Sequence, residues 1–151
     1  MRVDLEALLE PATTVVLTQE CQRGVVGAHS ALPELAAVAR ESGMLPAVGR
    51  LVQGARAAGA TVLHAVAARR ADGKGASRKR LAVPRGRTPA RPAAGRLARC
   101  RDRRGDRDGA FVIVGVSANV AIPNAVFDAV NLSYQVVLPE CGPVLRLSGR
   151  G

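Results

Sequence analysis

The chain has no tryptophan, one tyrosine and two phenylalanines, so aromatic residues make up only 2% of its 151 positions. A core without large rings must be assembled from Val, Leu and Ala. Histidine is equally scarce: His29 and His64 are the only two, and none follows His64. His29 reads as a lone loop histidine, and His64, inside an apolar run, as a packed or hydrogen-bonded structural residue. Lysine is confined to Lys74 and Lys79. Cys21, Cys100 and Cys141 form an odd, widely spaced set that fits neither a disulfide framework nor a zinc site. No metal site and no cofactor are expected, and a reduced, cytoplasmic setting is the default. No apolar run reaches membrane-spanning length, and the first residues, MRVDLEALLEP, carry acids early and lack a sustained apolar core, so no membrane partner is expected.

What is present suits one globular domain. Hydrophobic residues make up 48% of the chain, enough for a real core at this length. The net charge of +10 is concentrated in one block. Between Arg69 and Asp108 lie fifteen Lys or Arg against four Asp, a balance of +11, while the remainder sums to −1. That block is rich in Arg, Gly, Pro and Ala, with neither a 2.0 nor a 3.6 period. It predicts low order over 69–109. Residues 1–68 and 110–140 then make the folded domain, and 141–151 an irregular tail.

The organising stretch is 111–131, FVIVGVSANVAIPNAVFDAVN. Phe111 to Val114 is a β-branched apolar run of the kind that forms a buried parallel strand. After Gly115, the residues Ile122, Ala125, Val126, Ala129 and Val130 recur at helical spacing, with Pro123 in the first turn and Asn119 as a candidate N-cap. A turn joining a strand's carboxyl end to a helix's amino end is where open α/β sheets place ligands. Free N–H groups there are expected to stabilise anions or a thiolate.

Further strands are predicted at Thr13–Leu17, Ala60–Val66 and Tyr134–Leu138. Helices are predicted at 1–10, ended by Pro11, at 33–42, and from Met44 to Ala58, with Gly59 in the C′ position. Strand, helix and strand at this spacing make a right-handed parallel crossover. The fold class is α/β: a Rossmann-like three-layer α/β/α arrangement around a parallel sheet.

The run Gly115, Val116, Ser117, Ala118, Asn119, Val120, Ala121 resembles the nucleophile motif of the isochorismatase-like cysteine hydrolases, roughly G-V-x-T-N-x-C. The glycine, valine and asparagine match. Glu20-Cys21-Gln22, after the first strand, resembles the family's D-x-Q, and RAAGATVLHAV its second strand. The resemblance covers about residues 10–68 and 110–140. It implies an incomplete version of the family's sheet, with surviving strands in the order second, first, fourth, fifth. It also implies that Glu20 stands at the position of the catalytic aspartate and Ala121 at that of the nucleophilic cysteine. The substrate would be bound around Val116, Ser117 and Asn119, with a cis peptide between Val116 and Ser117. Lys79 is the better placed of the two lysines for the remaining catalytic position.

A methyl group cannot attack a carbonyl, so the resemblance implies a pseudoenzyme: family hydrolysis of small amides or vinyl ethers, with covalent catalysis lost. The Arg/Gly/Pro/Ala texture of about 78–108 is that of a GC-rich gene read out of frame, which would explain a truncated or frame-altered member. Two other readings stand beside it. Residues 69–108 could act as an Arg-rich arm for nucleic acid, binding phosphates by counterion release, although no aromatic residue interleaves its charges. Alternatively, the domain could be a non-catalytic module for a small molecule or a protein partner. Each sheet face is expected to keep mainly one helix, leaving apolar surface that favours homo-oligomers.

Overall fold

The computed structural model describes residues 4–68 and 109–140. Lys74, Lys79 and Cys100 in the basic block, and Cys141 in the tail, lie outside the described residues, as do the expectations attached to them. In chain order the elements are α1 (Leu5–Leu8), β1 (Val15–Gln19), α2 (Arg23–Val26), α3 (Pro33–Glu41), α4 (Met44–Ala57), β2 (Thr61–Ala65), β3 (Ala110–Gly115), α5 (Ala121–Asn131) and β4 (Gln135–Val137).

The four strands form one sheet in the order β2-β1-β3-β4, and every pairing is parallel. This is an α/β arrangement compatible with a Rossmann-like fold. β1 and β3 are the central pair, registered Val15 to Phe111 through Gln19 to Gly115. Their sequences explain the placement. An inner strand is covered on both faces, and a run such as AFVIVG offers a β-branched or aromatic side chain to each.

Along β1 the alternation is strict: Thr14, Val16 and Thr18 are buried, while Val15, Leu17 and Gln19 are half-buried. The better-covered face meets α4, whose Met44, Val48 and Val52 repeat every four residues. They pack with Val114 and Val116 and with Val25, Val26, Leu35 and Ala39 from α2 and α3. Each Val or Leu buried in this way contributes about 1.5–3 kcal/mol. α5 rests against β3 and β4, burying Ile122 and Ala129. The β1-to-β2 and β3-to-β4 crossovers run in opposite directions across the sheet, so right-handed connections put α4 and α5 on opposite faces.

Cover is therefore unequal. Among the described residues, α2 and α3 fold back beside α4 on the face where mainly one helix was expected, and α5 packs on the other.

The helix ends follow local chemistry. α1 is a single turn rather than the expected ten residues, capped by Asp4 Oδ1, which accepts from the Glu6 and Ala7 N–H groups at 3.1 and 3.3 Å. α4 closes with Gly59 at φ 84°, where the Gly59 N–H donates to Arg56 O and the Ala60 N–H to Ala55 O. α5 closes by the same pattern, Ser133 N–H to Val130 O and Tyr134 N–H to Ala129 O, with Ser133 in the left-handed position at φ 68°. No helix among the described residues is long and apolar enough to cross a membrane.

Candidate functional site

β1 and β3 end side by side, and the chains leave them through two facing turns. Gly115 makes this possible: at φ 138°, a Cβ on it would sit 2.1 Å from the Gln19 carbonyl oxygen. With no side chain there, the Val116 N–H donates to that carbonyl at 3.1 Å. Glu20 and Ser117, the residues that make the turns, both take left-handed conformations, at φ 54° and φ 66°. A non-glycine residue held there costs of order 1–3 kcal/mol, so the surroundings must enforce it. Part of that enforcement is visible. The Glu20 N–H donates to Ala65 O at 2.9 Å, and Ser117 Oγ donates to Glu20 Oε2 at 3.2 Å. Ala121, the first residue of α5, is half-buried immediately beyond this turn.

Several expectations are corrected here. The Val116–Ser117 peptide is not cis; the described residues contain no cis bond, and the left-handed Ser117 turns the chain instead. Asn119 does not cap α5. The cap position falls on Val120, whose side chain makes no capping bond, and Asn119 is exposed. Val116 is 1% exposed and belongs to the core, so its side chain faces no ligand.

The N–H groups at the start of α5 are not free either. Ser117 O accepts from Val120, Ala121 and Ile122 at 3.0, 2.9 and 3.2 Å, Pro123 has no N–H, and the Asn124 N–H donates to Val120 O. From Val120 to Asn124 every available donor is used. The turn that bends the chain at Ser117 also fills what would have been an anion site.

Cys21 is not set up as a nucleophile. Its side chain packs against the core, its Sγ lies 3.6 Å from Gln19 O, and burial pushes its thiol above the ordinary value. A thiol held protonated in this way is a poor nucleophile at neutral pH.

Two further contacts tie the same end of the sheet together. Gln22 Nε2 donates to Ala67 O and the Ala67 N–H donates to Gln22 Oε1, both at 2.7 Å. His64 bridges α4 to β1, with Nδ1 2.6 Å from Thr18 Oγ1 and Nε2 3.0 Å from Arg56 Nη2. A guanidinium only donates, so Nε2 must accept, and the hydrogen sits on Nδ1, pointing at Thr18. His64 is thus a structural hydrogen-bonding residue. Sequence reasoning missed Thr18, although the buried alternation of Thr14, Val16 and Thr18 marks it as inward-facing, in register with His64.

Comparison of the chain with protein-family models, curated proteins and solved structures gave no match. The chemistry must be read from the groups themselves. They are a carboxylate and a hydroxyl joined by a hydrogen bond at the ends of the two central strands. Among the described residues no group of three or more His, Cys, Asp and Glu side chains could hold a metal ion.

Proposed function

We propose that the chain is an isochorismatase-like α/β protein that has lost covalent hydrolysis and keeps the strand-end site as a binding site for a small polar molecule such as an amide. The observation that carries this reading is the Ser117–Glu20 hydrogen bond. It joins the two strand-end positions that the resemblance pairs in one site, and the Ala121 N–H donates to Ser117 O in the same turn. The parallel order β2-β1-β3-β4 supports the reading, being the order expected for a family sheet lacking its two edge strands. The proposed setting is cytoplasmic, with Cys21 as a free thiol.

In the family-like reaction a thiolate attacks a carbonyl while a carboxylate moves the proton and backbone N–H groups hold the oxyanion. Here Ala121 supplies no thiolate, and the N–H groups of Val120, Ala121 and Ile122 are already bonded to Ser117 O. Without a thiolate at position 121, most of such a rate enhancement is lost.

The test is an amidase screen of the chain and of Ala121→Cys, with iodoacetamide labelling alongside and melting curves with and without small amides. No turnover is expected from either protein. The thiol introduced by Ala121→Cys should alkylate faster than Cys21, whose thiol burial pushes above the ordinary value, and an amide that binds should raise the Tm of the parent. Substantial hydrolysis by the parent, abolished by Glu20→Gln, would overturn the loss of catalysis.

A further inference from the structure

The hydrogen bond between Ser117 and Glu20 decides what each group has left to offer. Ser117 spends its hydroxyl hydrogen on Glu20 Oε2, so toward anything further its Oγ only accepts. The carboxylate is acceptor-only as well, and among the described residues Ser117 is the one side chain that bonds to it. Both residues are half-buried, and both sit at left-handed turns at adjoining strand ends, so the central strands fix the spacing of the pair. The neighbouring donors are committed elsewhere. Gln22 Nε2 donates to Ala67 O, and the N–H groups of Val120, Ala121 and Ile122 donate to Ser117 O. The Ala118 and Asn119 N–H groups make no backbone bond to a described residue, but an anion drawn to them would be repelled by the Glu20 charge paired with this same turn.

We propose that the Glu20–Ser117 pair binds a small organic cation with a planar fork of N–H donors, an amidinium or guanidinium, with Glu20 accepting from one arm and Ser117 Oγ from the other. The inference rests on the strand-end site being a binding site, and deepens that reading by naming the charge of the ligand. A neutral amide brings donors on one arm and, on the other, a carbonyl that needs a donor from the protein. An amidinium of the same shape brings donors on both arms and a positive charge, which is what two acceptors, one of them anionic, can satisfy. Bonds from a cationic N–H to a carboxylate are roughly twice as strong as neutral ones, and partial removal from water strengthens them further. An alkylammonium meets the charge only as a point and does not match the fork.

The experiment is calorimetric titration and thermal melting of the full chain with two isosteric pairs, acetamidine with acetamide and benzamidine with benzamide. The proteins are the parent, Glu20→Gln, Ser117→Ala and a control, Glu34→Gln, which alters an exposed carboxylate on α3. In the parent an amidine should bind at least about tenfold more tightly than its amide and raise Tm further. Glu20→Gln still accepts from Ser117 but has no charge, and should abolish that preference. Ser117→Ala should weaken the amidine, and Glu34→Gln should leave it unchanged. Amides that bind as tightly as amidines would overturn the choice of a cation and leave the strand-end site standing, whereas no binding by either pair would overturn both. Amidine binding that survives in Glu20→Gln would put the cation elsewhere and sink the proposal. So would a ligand-free Glu20→Gln that melts well below the parent, since the charge would then already be paired within the protein.

Discussion

Gln22 and Ala67 hold each other by two hydrogen bonds of equal length, 2.7 Å, the side-chain amide of one closing on the backbone of the other. Gln22 follows β1 and Ala67 follows β2, so this pair fastens the loops at the carboxyl edge of the sheet. Gln22→Ala removes both bonds at an exposed position, and a loss of about 1–2 kcal/mol is expected. The measurement is urea unfolding. Hydrogen exchange at Glu20, whose N–H is bonded to Ala65 O nearby, should quicken in the same variant.

Gly115 and Ser133 make a matched test of backbone conformation. Gly115→Ala places a methyl against the Gln19 carbonyl between the two central strands, and a loss of about 3 kcal/mol or more is expected. Ser133 holds a left-handed position closing α5 that glycine fills at no steric cost. Ser133→Gly should therefore stabilise by about 0.5–1 kcal/mol. Thermal melts of the two variants should move in opposite directions from the parent.

His64→Ala should destabilise more than Arg56→Ala. The first leaves the hydroxyl of Thr18, which is 3% exposed, without its partner, a burial penalty of about 1–3 kcal/mol. The second removes only an exposed contact, worth about 0–1 kcal/mol. Thr18→Val combined with His64→Ala should recover part of the loss, because the orphaned hydroxyl is then gone. Denaturant midpoints of the single and double variants give the comparison.

Cys21 sets a pH dependence whose sign follows from burial. The fold disfavours the thiolate, so the folded value lies above the unfolded one. Stability from this group is whole below the ordinary thiol value and falls as pH rises through the raised folded value. Alkylation followed by peptide mapping should show Cys21 slow in the native protein and fast in urea. Native labelling should rise only at a more alkaline pH than labelling of the denatured chain.

The strands and long helices were legible in the sequence because periodicity reports burial directly. AFVIVG and TVLHA lie where their patterns put them, and the helix expected from Met44 to Ala58 runs from Met44 to Ala57. α2 was not legible, since four residues of RGVV carry no period. The candidate site was legible as a place and in part as a set of residues. Glu20 and Ser117 are brought together, Asn119 is exposed, and the Val116 side chain is buried in the core. The reason is local geometry that composition does not encode. A left-handed Ser117 replaces the cis bond, and its carbonyl gathers the N–H groups that a motif alone leaves free.

The strand order also fixes a schedule. β1 meets β2 after one helical crossover, but its other neighbour, β3, is translated about 45 residues after β2 ends. At roughly 5–20 residues per second, one side of β1 stays bare on the ribosome for about 2–9 seconds. Throughout that interval the nascent chain presents an open row of N–H and C=O groups on VVLTQ, a template for mispairing with a neighbouring chain on the same message. Slowing synthesis between Ala65 and Ala110 would lengthen that exposure, so the yield of native protein depends on codon speed in a stretch that supplies none of these four strands.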